Sequence, residues 1–287
     1  MAIYRRGYKS YQGPLTPERS RFLVLTRYAW SGLFQSRLLT AFFVVCFFYP
    51  VGALAALYLN NSAASLAQLR IQTALFDVDG RFFFFFLSVQ GSLAFLLTTF
   101  VGPGLVAPDL ANGGLALYFC RPFSRAEYVL GKMGVLFVLL SLITWIPGLI
   151  LFGIQSSLAG LGWMWSNLWI ASAIVISSLL WILIQSLMAL ALSAWVKWKI
   201  AAAALMLAIL FMGAGFGQAV NNILRTQQGP LLDITRLIGV VWAKLFRVEY
   251  MANRGISQLE AWTVLLAVCA GCLVLLAKKL RAHEVVK

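Results

Sequence analysis

Residues 121–150 read RPFSRAEYVLGKMGVLFVLLSLITWIPGLI. The first twelve, Arg121 to Lys132, carry Arg121, Arg125, Lys132 and one acid, Glu127, and are broken by Pro122. From Met133 to Ile154 no residue is charged. A helix needs about 20 mostly apolar residues to cross a bilayer, so a basic, proline-broken segment here abuts a membrane-spanning run. That alternation fixes how the rest of the chain is read.

Five further runs repeat the pattern: Leu38 to Leu59, Phe82 to Val106, Leu168 to Val196, Ile200 to Val220 and Ala261 to Ala277. The chain is 61% hydrophobic and 11% charged over 287 residues, against about 25% charged in soluble domains. The fold expected is an all-α integral membrane protein with six transmembrane helices in one domain. It divides into a tail and interfacial helix (1–37), a six-span bundle (38–277) and a second tail (278–287). No short alternating strands suggest a β-barrel. The net charge of +14 does not imply nucleic acid, because the cations sit in the gaps between runs, where they set topology. Sixteen Lys and Arg fall on the side of the two termini and seven on the other, so both termini, and the segment from Arg121 to Lys132, are expected in the cytoplasm. The first apolar run starts too late and is too long for a cleavable signal.

Outside the spans, Pro17 to Gln35 reads as a helix that Thr16 can cap. Arg19, Arg27, Ser31 and Gln35 share one face, with Phe22, Ala29, Trp30 and Leu33 largely opposite. It is either an amphipathic helix lying along the membrane surface or a cytoplasmic extension of the first span. Leu231 to Val248 has apolar residues at helical spacing and predicts an external or re-entrant helix between spans five and six. Ser257 and Glu260 form a capping box that starts the last span. Asp77-Val78-Asp79-Gly80 reads as a turn before the second span.

Several chemistries lack their residues. None of the six apolar runs contains Asp, Glu, Lys, Arg or His, whereas proton-coupled carriers depend on ionisable groups inside the membrane. The only histidine, His283, is in the tail. Gly131-Lys132 is followed by Met133, and Ala126 stands where a P-loop has its first glycine. Cys269 and Cys272, spaced as CxxC, lie in an apolar helix where small residues aid packing. No catalytic, cofactor-binding or metal-binding residue is expected. Polar residues within the runs, Gln90, Thr98, Thr99, Gln185 and Gln218, are candidates either for a transport pathway or for interhelical hydrogen bonds. Gly213 and Gly217 form a GxxxG that allows close helix packing, within the chain or between two copies.

The segment before the third run is shaped locally. Gly102-Pro103-Gly104 is expected to kink the second span, Pro108 to restart a helix with Asp109 near its N-terminus, and Arg121-Pro122 to stop a short helix over Asn112 to Cys120. Ser124 and Glu127 form an S-x-x-E capping box for the next helix. The product is an elbow at the membrane surface that displays Arg121, Arg125, Glu127 and Lys132.

That elbow resembles the loop of ATP-binding-cassette (ABC) type-2 exporter permeases, whose box runs P-[IVL]-S-R-x-x-[YFIL]-x-x-G-K. Pro122, Ser124, Arg125, Tyr128, Gly131 and Lys132 match it. Where the family has Glu and Gly-Thr-Leu upstream, this chain has Asp109 and Gly113-Gly114-Leu115. The motif covers about 25 residues; the six-span layout with an amphipathic entry helix and a large last external loop extends the likeness over most of the chain. The resemblance implies the transmembrane subunit of an ABC exporter in the cytoplasmic membrane of a prokaryote, paired with a second permease copy. A separate cytoplasmic ABC ATPase subunit binds the ATP and Mg, and the loop between spans two and three is the coupling helix. Asp109, Arg121, Pro122, Ser124, Arg125, Glu127 and Lys132 are then the ATPase-coupling candidates. Two other readings fit the residues: a non-transporting scaffold that recruits a cytoplasmic protein through the same loop, and a gradient-driven carrier. The loop's charges either grip such a partner or only hold the loop inside.

Overall fold

A computed structural model describes residues 20–62, 76–119, 124–196, 198–224, 229–249 and 256–281. Among these residues there are helices and turns and no strand. In chain order the helices are α1 (Arg21–Leu33), α2 (Arg37–Val45), α3 (Phe48–Asn61), α4 (Gly80–Val101), α5 (Pro103–Ala111), α6 (Gly114–Phe119), α7 (Arg125–Ile143), α8 (Trp145–Ala159), α9 (Leu161–Trp195), α10 (Lys199–Leu224), α11 (Ile234–Leu245) and α12 (Gln258–Arg281). Six helical stretches are long and apolar enough to cross a membrane: Arg37–Asn61, Gly80–Ala111, Arg125–Ala159, Leu161–Trp195, Lys199–Ile223 and Gln258–Leu280. They are spans 1 to 6 below.

Spans 1, 3 and 5 start at one end of the bundle, here the entry end. There Lys132 of span 3 meets Asp109 at the end of span 2, and Lys199 at the start of span 5 lies beside Gly104. Trp195, closing span 4, donates its indole N–H to Leu275 O of span 6. At the far end Asn61 donates to Gln155 across the ends of spans 1 and 3, and a Cβ on Gly80 would strike the Phe246 carbonyl and the Trp169 ring. Spans 2, 3 and 4 bury 61–72% of their most apolar stretches and spans 1, 5 and 6 only 18–22%. The core therefore lies on spans 2–4.

Breaks in the spans follow the local chemistry. Span 2 bends at Gly102, where Pro103 opens α5. The proline cannot continue the hydrogen-bond ladder, and Ser193 of span 4 enters the break. Its hydroxyl donates to Pro103 O and accepts from Ala107 N–H, both at 2.9 Å, so it bridges two backbone groups one turn apart at the start of α5 and ties span 4 to it. Pro108 sits inside α5 and does not restart a helix as expected; the break falls instead at Asn112-Gly113, where Gly113 adopts φ +65°, a conformation glycine takes without strain. Span 3 begins at Arg125, just after its Ser124 cap and eight residues before the uncharged run from Met133. At 35 residues it is about 50 Å long, well beyond the ~30 Å hydrocarbon core.

α11 forms where the apolar spacing predicts it, with the Asp233 carboxylate accepting from Arg236 N–H. It buries Leu237, Ile238, Val240, Val241, Trp242 and Ala243, and the Trp242 indole donates to Ser177 O of span 4. The Ser257–Glu260 box caps span 6 with reciprocal bonds of 3.2 and 2.7 Å. Asp79 ends its turn as the N-cap of α4.

Candidate functional site

The elbow between spans 2 and 3 is built from one helix start. Ser124 Oγ accepts from Glu127 N–H at 3.2 Å, and Glu127 Oε2 accepts from Ser124 N–H at 2.7 Å. These reciprocal bonds satisfy two of the N–H groups left open at a helix start and fix the helix phase. Ser124 and Ala126 are exposed, and Arg125 and Glu127 half-buried. Arg121 and Pro122 lie outside the described residues.

One turn later the same helix faces inward. Tyr128, Gly131 and Lys132 recur at three- and four-residue steps, so they share a face. That face meets α5. Tyr128 OH donates to Asp109 Oδ2 at 2.8 Å, and Lys132 Nζ lies 2.8 Å from the same oxygen. The ammonium also sits 5.6 Å from the Tyr128 ring centre. Lys132 is 7% exposed, which corrects its expected display at the elbow surface: an ammonium this deep requires a carboxylate, and Asp109 provides it. Tyr118 packs on Tyr128 with ring centres 5.5 Å apart. Its phenol pKa is pushed up by burial and further by the negative charge of Asp109 and by Tyr28, so it stays neutral beside the pair.

Gly131 has a second role. A Cβ there would lie 2.9 Å from Phe22 O and 3.0 Å from Leu25 Cβ, and one on Gly134 would lie 2.8 Å from Thr26 Oγ1. Thr26 Oγ1 donates to Gly131 O at 2.8 Å. α1 therefore rests directly on span 3, with Arg27, Ser31 and Gln35 exposed and Phe22, Ala29, Trp30 and Leu33 partly buried, the two faces expected. Thr16, Pro17 and Arg19 lie outside the described residues. Asp109, Tyr128, Lys132, Gly131 and Thr26 thus join α5, span 3 and α1 into one unit at the entry end.

Among the polar residues of the spans, Gln90, Thr98, Thr99 and Gln185 are at most 3% exposed. Gln90 Nε2 donates to Cys46 O at 3.2 Å, tying span 2 to span 1. Thr98 and Gln185 share a bond of 2.9 Å between spans 2 and 4, and Thr99 donates to Phe95 O. All four lie between packed helices. The far half instead carries two adjoining cavities of about 250 and 220 Å³ that share Ser92, Trp181 and Thr235. Gln218 lies in α10; its side chain is outside the described residues. Gly213 and Gly217 receive the 3-10 turn Gly229–Leu232, because a Cβ on either would strike the Leu232 or Gly229 carbonyl. This GxxxG is used within the chain. Cys269 and Cys272 carry free thiols packed against the core.

Sequence reasoning missed Thr26, Ser193 and Lys199. Thr26 and Ser193 each look like a tolerated hydroxyl in a helix; only the facing backbone gives them a purpose. Compared with protein-family models and with curated proteins, the chain finds no match.

Proposed function

We propose that this protein is the transmembrane permease subunit of an ABC exporter, working as a pair of copies in the cytoplasmic membrane of a prokaryote. A separate cytoplasmic ATPase subunit hydrolyses ATP, and the entry end of the bundle is cytoplasmic. The observation that carries this reading is the two-sided start of span 3. The capped turn at Ser124–Glu127 carries the half-buried Arg125 and Glu127, while the following turns bolt the helix to α5 and α1 through Lys132–Asp109 and Thr26–Gly131. A push on the elbow then moves span 3, the end of span 2 and α1 together. Arg125 and Glu127 make the ATPase contact; Asp109 and Lys132 pass the displacement inward. The absence of charge from the six apolar runs fits energy that enters from a partner, and the apolar surroundings of the far-half cavities favour an apolar or amphipathic substrate.

Purification of the full chain from its native membranes in mild detergent tests the assembly. Two copies with a co-purifying ATP-hydrolysing subunit are expected; a strictly monomeric chain without an ATPase overturns it. In the reconstituted complex, hydrophobic compounds that stimulate ATP hydrolysis serve as the probe. Arg125→Glu leaves the Ser124–Glu127 cap in place and is expected to abolish that stimulation. Full stimulation in the folded variant would remove Arg125 from the contact.

A further inference from the structure

A cavity lies beside the Lys132–Asp109 pair, and both side chains line it. It encloses about 480 Å³ between α1, the start of span 1, the bend of span 2 and the start of span 5. That size falls in the range of small-molecule sites, roughly 300–1,000 Å³. Its walls are divided by chemistry. One end carries Tyr28, Ser36, Asp109, Tyr118, Lys132 and Lys199. Phe100 and Val101 line its deeper part, and Leu38 and Leu39 supply apolar wall at the start of span 1. Phe100 is nine residues from Asp109 along span 2, which places it about 13 Å deeper.

The charges do not cancel. Asp109 and Lys132 neutralise each other at 2.8 Å. Lys199 makes no ion pair or hydrogen bond among the described residues; its side chain lies along Gly104, with Nζ 3.5 Å from where a Cβ would sit. Glycine at position 104 thus leaves room for an ammonium at the cavity wall. Spans 1 and 5 both begin here, at Arg37 and Lys199, so the polar end sits at headgroup depth and the deeper part among acyl chains. Leu38 and Phe100, 66% and 46% exposed, open the apolar wall to lipid.

We propose that this cavity seats one anionic glycerophospholipid of the adjacent leaflet, its phosphate on Lys199 and an acyl chain against Phe100 and Leu39. The lipid fills the space between α1 and span 5, so it ties α1 to the bundle beside its contact with Gly131. The site requires only insertion in a bilayer and no ATPase, so it stands or falls separately from the exporter reading.

Native mass spectrometry of the full chain, released from nanodiscs of phosphatidylcholine and phosphatidylglycerol in equal parts, tests it. The wild type is expected to retain phosphatidylglycerol preferentially. Lys199→Gln removes one cation, worth ~1 kcal/mol at a membrane surface, and is expected to lower that preference about fivefold. Gly32→Phe provides the independent arm. Gly32 lines the cavity and a Cβ there meets nothing within 4 Å, so phenylalanine fills the space without disturbing the fold and is expected to displace the lipid. Equal retention by wild type and both variants overturns the proposal. Loss with Lys199→Gln alone reduces the effect to general surface charge and also overturns it. Unchanged retention with loss of a dimer in Gly32→Phe assigns the cavity to a second copy, with the same consequence.

Discussion

Two pairs of glycines, Gly131 with Gly134 and Gly213 with Gly217, do related work at opposite ends of the bundle. At each, the missing Cβ lets a segment that does not cross the membrane lie against a span. At the far end the seated segment is the turn Gly229–Leu232, and it is held by packing and by the Asn221 side chain, which accepts from Gly229 N–H at 2.8 Å. At the entry end the seated segment is α1, and the seat adds the Thr26 hydrogen bond and the adjoining Lys132–Asp109–Tyr128 cluster. One contact is mainly shape; the other is shape with charge. A buried ion pair adds little net stability but is costly to break on one side. The entry end is therefore the less forgiving of the two.

The largest expected effect tests that asymmetry. Lys132→Ala leaves Asp109 facing Tyr128 without a cation and is expected to destabilise the protein by ~3 kcal/mol, read as a fall in the thermal midpoint in detergent. The double variant Lys132→Ala with Asp109→Ala is expected to recover part of the loss. Equal damage from the double variant would show that the two side chains act separately. Next come the glycines. Gly131→Val and Gly217→Val each force a side chain onto backbone and are expected to cost about 2 kcal/mol. They differ in what loosens: limited proteolysis is expected to cut near α1 in the first and near Gly229 in the second. Cleavage at the same place in both would erase the distinction. Thr26→Val keeps the shape and removes the bond to Gly131 O, for ~1 kcal/mol; α1 amide exchange rises while the far end is unchanged. Ser124→Ala, which removes the exposed half of the capping box, is expected to cost at most about 1 kcal/mol, and Glu127→Gln, which still accepts from Ser124 N–H, less than that.

Much of this architecture was readable because a bilayer permits few solutions. Six uncharged runs of sufficient length demand six helices, since every backbone group inside the hydrocarbon must bond within its own segment. The capping boxes at Ser124 and Ser257, the bend at Gly102-Pro103 and the amphipathic α11 were also readable, because each depends on residues within four positions of one another. Pro108 misled because proline is favoured at a helix start but also occurs inside helices at the cost of a ladder bond. As the sixth residue of α5 it forgoes the bond to Gly104 O, so its position alone did not mark where α5 begins. Lys132 misled for a different reason. In sequence it is the last cation of a charged loop. In space it is about two helical turns past the cap and aimed at a carboxylate 23 positions earlier.

The sequence by itself determined that six helices are long and apolar enough to cross a membrane, because hydrophobic length acts locally. It did not fix where they start, since span 3 begins at Arg125 and span 4 at Leu161, ahead of the apolar runs from Met133 and Leu168. Only the tertiary structure decided which part of Ser124 to Lys132 faces out and which faces in, what Thr26 and Ser193 bond, and that Gly213 and Gly217 serve a turn of the same chain. Those outcomes depend on which backbone or charge lies opposite a side chain once the spans have packed, and no spacing along the chain records that.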